Sequence, residues 1–294
     1  MGRPKGMAEN KPKPKKNTPR KADPATVVGI LLALVGIVGG LILERGKIQD
    51  ILQGTAAMIV LGGTLGAVLV TTPMEIFLRA MNALQGILSA PVHSVSERIE
   101  VLVGFATRAR KNGIVSLESD ALEVEDPFLR KALGLAVDGT DLHELKKMME
   151  IDISIAEHDE EAAAKVWESA GGYAPTIGII GAVMGLIQVM KHLEDIKEVG
   201  HGIAVAFVAT VYGVGSANIF FLPAAQKLRA RIREAVMLKE MTLEGIVGIV
   251  EGLNPTLIRL KLSSFDSPPV KKKPVKVVAK EAEASKAQPA PAGT

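Results

Sequence analysis

Four stretches of the chain run for the length of a bilayer crossing without a charged residue: 25–43, 55–72, 173–190 and 202–221. About twenty apolar residues suffice for a helix to cross hydrocarbon, so each is predicted to be a membrane span. Short polar links join the first to the second and the third to the fourth, the latter over 191–201. The spans therefore pair as two hairpins, separated by roughly a hundred residues of mixed, charge-rich sequence. Within that block the periodicity changes to that of half-buried helices in water. Ile99, Leu102, Val103 and Ala106 form one stripe, opposed by Arg108 and Lys111 with Arg110 nearby, and Asn112-Gly113 is a stop signal. Ser94 with Glu97 has the spacing of a capping box. A second long helix is expected from Asp141 toward the third span, with Leu142, Leu145, Met148 and Met149 on its apolar side. Past the fourth span, Leu228, Ile232 and Val236 recur every four residues against Lys227, Arg229, Arg231 and Arg233.

The predicted class is thus an all-α membrane protein. It has four transmembrane helices, a large helical domain between spans two and three, and an amphipathic helix after span four. The expected divisions are a basic tail over 1–24, a hairpin over 25–72, a helical domain over 73–170, a hairpin over 171–223, an amphipathic helix over 224–265 and a tail over 266–294. Both tails are rich in Lys and Pro and lack a core-forming pattern, so disorder is expected there. The first span is too long for a signal-peptide core and no A-x-A site follows it, so it is expected to be retained.

The third span carries the most information. Pro175 is placed to open a helix, Thr176 is its hydroxyl, and Gly178, Gly181 and Gly185 leave one face almost without side chains. Such a face admits another helix backbone, so this span is expected to pack against other helices and not only against lipid. Gly62 and Gly66 make a similar pair in span two. Span four contributes Thr210 and closes at Pro223; Thr64 and Ser216 are lesser hydroxyl candidates.

Composition sharpens this picture. The hydrophobic fraction is 48% and the net charge only +3, with a mean hydropathy of +0.26. Of the 35 Lys and Arg residues, 31 fall in the two tails, the middle block and the region after Pro223. The positive-inside tendency therefore puts both termini and the middle block in the cytoplasm. There is no cysteine and no catalytic, phosphate-binding or zinc motif, so no enzyme, cofactor or nucleic-acid partner is expected. None of the four stretches contains Asp, Glu, Lys, Arg or His. Ion passage through hydrocarbon usually needs an ionisable group, so a conducting assembly would take its carboxylate from another chain.

The stretch from Pro175 to Gly185 resembles the signature of the MotA/TolQ/ExbB proton channel superfamily. Four spans, the Leu61-Gly62-Gly63-Thr64-Leu65-Gly66-Ala67 segment, the fourth span ending Phe221-Leu222-Pro223 and the Gly252-Leu253-Asn254-Pro255 segment resemble its flagellar stator branch, MotA/PomA. The resemblance spans about residues 22–265. It implies an inner-membrane stator subunit that couples H⁺ or Na⁺ influx to torque on the rotor protein FliG. Five copies would surround two of a MotB/PomB-type partner with one span, an ion-carrying Asp and a peptidoglycan-binding domain. It also implies that Thr176 and Thr210 line the ion route, that Pro175 and Pro223 couple it to conformational change, and that Arg110, Lys111 and Glu118 meet the rotor. The competing expectations are a TolQ/ExbB-like energiser of an envelope complex and a non-conducting membrane scaffold.

Overall fold

The computed structural model describes residues 24–87 and 95–266. The helix α1 (Pro24–Leu43) is followed by a link containing α2 (Ile48–Ile51). The second span comprises α3 (Gly54–Ala57), a π-helical turn (Met58–Gly62) and α4 (Gly63–Thr71). Thr72 is extended before Pro73, where the chain re-enters a helix as α5 (Met74–Ile87). The helical domain contains α6 (Val95–Asn112), a 3₁₀ turn (Ile114–Leu117), α7 (Glu118–Glu123) and α8 (Pro127–Val137). Then come α9 (Leu142–Lys191), α10 (Ile196–Ser216), a second π-turn (Ala217–Phe221), α11 (Leu222–Val250) and α12 (Pro255–Asp266). Four long apolar helices, each able to cross a membrane, are present, as expected. Residue Ser94 of the capping box and nearly all of both tails lie outside the described residues.

Three local expectations change. The third span does not begin at Pro175: α9 is one helix of 50 residues that carries this proline in its interior. At about 1.5 Å per residue it is roughly 75 Å long, enough to cross a bilayer and continue well beyond it. The link between spans three and four is shorter than 191–201, because Asp195 caps α10 through a bond from the Lys197 amide and the helix absorbs Lys197 to His201. The segment 224–265 forms two helices, parted by a turn at Gly252 (φ +69°), with Asn254 Oδ1 accepting from the Thr256 amide at 3.0 Å. Only residues without a Cβ adopt that φ cheaply.

Two cores result. The helical domain encloses Leu102, Leu117, Leu133, Leu145, Met241 and Ile258, all essentially inaccessible. The α6 stripe takes part, with Phe105 beside it, and so do Leu145 and Met149 of α9. Met148 is 39% exposed, because the buried arc of α9 is narrower than expected. Asp141 caps α9 by accepting from the amides of His143 and Glu144. The other core lies where α9 and α11 leave the apolar layer, around Trp167, Phe221, Leu228 and Ile232. Here α11 buries two residues of its predicted four-residue repeat and half-buries Val236.

Candidate functional site

The glycine face of α9 is filled from within the chain. A Cβ at Gly178 would lie 3.0 Å from the Ala209 carbonyl oxygen, and one at Gly185 would lie 2.7 Å from the Gly202 oxygen and 2.8 Å from the Ala206 nitrogen. At Gly181 it would meet the Ala209 Cβ at 2.8 Å and Ile59 of the second span at 3.3 Å. The seam is reciprocal: a Cβ at Gly213 would come 2.6 Å from the Ala174 oxygen, and one at Gly202 2.9 Å from the Gly185 oxygen. Glycines on both helices thus point Cα hydrogens at facing carbonyls, the close approach that small residues permit in lipid. Within the chain, the helix that occupies this face is α10, since consecutive spans joined by a four-residue link are nearest neighbours. Gly202 and Gly213 were not singled out from the sequence. Their separation of eleven residues, close to three helical turns, was the available signal.

The hydroxyls are ordered by this seam. Thr176 is exposed on α9, and its Oγ1 donates to the Tyr173 carbonyl at 2.8 Å. Thr210 is half-buried, and its Oγ1 donates to the Ala206 carbonyl at 3.2 Å. Because Gly178 abuts Ala209, both threonines stand at nearly the same level of the seam. Each donates its proton back to its own helix, which leaves the oxygen as an acceptor for a cation or water. Ser216 does the same toward the Gly213 carbonyl at 3.3 Å. Thr64 differs: it is fully buried, and its Oγ1 has no partner among the described residues. Tyr212 ties span four to the first link, donating to the Ile51 carbonyl at 2.5 Å and accepting from the Gln53 amide at 3.2 Å.

Both prolines lie inside the long helices. Pro175 supplies no N–H to the Gly171 carbonyl four residues earlier. Gly171 itself is pressed against Leu222, whose Cδ2 would lie 2.5 Å from a Cβ there. Pro223 follows the π-turn Ala217–Phe221 inside the continuous column 196–250, so it too withholds an N–H from the preceding turn. The turns around the two prolines are therefore in contact through Gly171 and Leu222. Below them Trp167 stacks on Phe221 (6.1 Å between centroids), meets Phe220 edge-on at 5.8 Å, and donates Nε1–H to the Ala80 carbonyl at 3.1 Å. One turn further, the Arg229 guanidinium holds Glu161 through Nε at 2.6 Å and both oxygens of Glu168 at 2.9 and 2.6 Å. These bonds, with Glu168 first, raise the Arg229 pKa, and the same guanidinium holds the Glu168 carboxyl below its ordinary value. None of these aromatic and ionic contacts was predicted, because each joins residues distant in the chain.

Arg110, Lys111 and Glu118 are all exposed and lie on either side of the tight turn that follows α6. Gly113 takes φ +83°, after which the 3₁₀ turn buries Leu117 and leads into α7. The neighbouring basic and acidic clusters are joined: Arg108 reaches Asp120 at 3.0 Å and lies 5.2 Å from the Phe105 ring centroid.

Comparison with known proteins gives consistent matches along the chain. Residues 120–241 match the MotA/TolQ/ExbB proton channel family model, and residues 27–113 match the Motility protein A N-terminal model. Motility protein A of Helicobacter pylori is 37% identical over 251 residues, 85% of this chain and 98% of that protein. The solved structure of C. jejuni MotAB contains a chain that superposes with a TM-score of 0.80 at 33% identity, covering 85% of this chain and 99% of that one. The flagellar MotAB stator complex from Bacillus subtilis gives 0.76 at 31% identity, over 82% and 94% of the two chains.

Proposed function

Because the chain belongs to the MotA/PomA family of the MotA/TolQ/ExbB superfamily, we propose that it is a flagellar stator subunit coupling H⁺ or Na⁺ influx to torque on the rotor protein FliG. The family is one of ion channels rather than enzymes. One observation carries the mechanical part of this reading. Two helical columns, 142–191 and 196–250, run from the apolar layer into the helical domain and are packed together along their length. A displacement beside Thr176 or Thr210 would be carried along these columns, with Pro175 and Pro223 as the points of yielding. In this proposal both termini and the helical domain are cytoplasmic in the inner membrane, as the distribution of Lys and Arg favours.

The carboxylate missing from the spans comes from a MotB/PomB-type partner with one membrane span, two copies of it inside a ring of five. The α9–α10 seam is closed, so the partner meets other apolar surface. Ile180, Val183, Ile187 and Phe207 are exposed on these helices, Phe207 at 72%, and supply it. Hydroxyl oxygens suit a hard cation or a water that carries a proton. Arg110, Lys111 and Glu118 steer FliG from an exposed edge, where single ion pairs contribute little. The N-terminal match and four-span layout favour this reading over an envelope-transport energiser.

The test is rotation of tethered cells lacking this gene, complemented with the wild type, in sodium and then potassium medium. Paralysed flagella rescued by the gene support a stator, and rotation that persists without sodium assigns protons. Normal rotation in a strain with no other stator genes would reject the proposal.

A further inference from the structure

The segment from Ile114 to Glu123 carries apolar side chains on two faces. One is the core face: Leu117 and Ala121, a helical turn apart, are buried, and Ile114 packs half-buried against the same core. The other face points outward, and on it Val115 is 64% and Leu122 is 78% exposed. The 3₁₀ turn eclipses side chains three residues apart, which sets Glu118 over Val115. In α7, Leu122 follows Glu118 by four residues and so lies on the same side. Val115, Glu118 and Leu122 therefore form one outward stripe. The ion pair from Arg108 to Asp120 ties α7 back to α6 and holds the stripe in place. A single exposed leucine is ordinary; here two large apolar side chains share a face with charge. Arg110 and Lys111 on one side of the turn, and Glu118, Glu123 and Glu125 on the other, are exposed and form no ion pair among the described residues.

Position narrows the occupant. Arg110 and Ile114 share a cleft with Gly139, Thr140 and Val250. The turn thus stands beside the start of α9 and the end of α11, about 45 Å along α9 from Tyr173, where the third apolar stretch begins. Neighbours in the same membrane meet the flanks of the spans, whereas this end meets what lies beyond the membrane surface.

We propose that Val115 and Leu122 are the apolar centre of the rotor-docking surface, so that the rotor is seated on this stripe and not only steered by charge. The partner it fits is a protein surface with exposed apolar side chains at its middle, an acidic flank for Arg110 and Lys111, and a basic flank for Glu118, Glu123 and Glu125. This inference rests on the stator reading, which names that partner as FliG. Apolar contact supplies what exposed ion pairs lack: burying a leucine is worth more than a screened surface pair and does not fade with salt. Because Leu117 is fully buried behind the stripe, force at Val115 and Leu122 is delivered directly to the core of the helical domain.

The test uses the full chain, expressed with its partner in cells that lack the native copy, with a photo-reactive residue in place of Leu122. That side chain is outside the core, so the replacement leaves the fold intact. Irradiation of rotating cells is expected to give an adduct with FliG. A chain–chain adduct identifies a second copy as the occupant and overturns the proposal, and so does the absence of any adduct. In a second arm, V115Q combined with L122Q keeps every charge of the edge. It is expected to slow tethered-cell rotation about fivefold at an unchanged membrane level, whereas L122M, which keeps the apolar contact, rotates normally. Unchanged rotation of the double variant overturns the proposal. Deleting the gene reads the stator proposal by itself. If deletion paralyses the cells but Leu122 gives no FliG adduct, the docking surface is wrong and the stator reading stands.

Discussion

The α9–α10 seam and the core of the helical domain solve the same packing problem in opposite ways. In the seam, glycines bring two backbones so close that a single added carbon would come within 2.6–3.0 Å of backbone atoms. In the helical domain, Leu102, Leu133, Met241 and Ile258 fill the space with branched and long side chains. The difference follows from the solvent. Lipid tails are as apolar as leucine, so burial offers spans little reason to associate and close backbone contact must do so. Water drives apolar side chains together, and volume matters more than approach. One region is therefore intolerant of addition and the other of removal.

The largest effect should come from adding carbon to the seam. Gly185→Val or Gly213→Val places atoms against backbone that cannot move aside, and should abolish membrane accumulation and swimming in soft agar. Gly66→Ala, where nothing lies within 4 Å, is the control and should be tolerated. Equal behaviour of the two would mean that the seam opens readily. Removing carbon from the other core is the complement. Leu133→Ala should destabilise the helical domain by about 2–5 kcal/mol, read as a lower midpoint in thermal unfolding of the purified protein. A smaller effect is expected at the junction between the regions. Trp167→Phe keeps the ring stacking but removes the indole donor, while the Ala80 carbonyl keeps its bond within α5, at a cost of about 0.5–1.5 kcal/mol. An unchanged midpoint would show that water replaces the indole.

The smallest effect is electrostatic and depends on pH. Arg229 lowers the Glu168 pKa, so the pair stabilises the fold above the ordinary carboxylate range. That contribution is lost as pH falls through the lowered value. The Glu168 side chain is 43% exposed, so screening should keep the effect below about 1 kcal/mol. Glu168→Gln should therefore cost less than about 1 kcal/mol at neutral pH, where the pair is intact, cost nothing below the lowered pKa, and so flatten the acid side of the stability profile. A large loss at neutral pH would mean that the clamp orients α11 rather than merely pairing charges. At the exposed edge, the combined charge reversals Arg110→Glu and Glu118→Lys should impair torque more than either alanine change. Paralysis by a single alanine variant that inserts normally would replace distributed steering with a specific contact.

Much of this organisation was legible without coordinates because it is local or solvent-driven. Uncharged runs as long as a bilayer crossing announce spans, and the stop at Asn112-Gly113 needs only glycine's freedom at positive φ. The spacing of Gly178, Gly181 and Gly185 announced a packing face, but not its partner. That depended on which helix the four-residue link folds back, and on Gly202 and Gly213 presenting a matching face. Pro175 shows the limit of local rules. A proline suits a helix start, yet 33 residues of α9 precede it, because tertiary contacts on both sides outweigh one missing hydrogen bond. The Arg229 clamp and the Trp167 stack bring together residues far apart in the chain. Spans, side-chain periodicity and charge bias were set by the sequence alone, since they reflect each segment's own solvent preference. Which surfaces meet, and how closely, was decided only in the folded chain, where backbone approach and long-range pairing select among many faces of similar polarity.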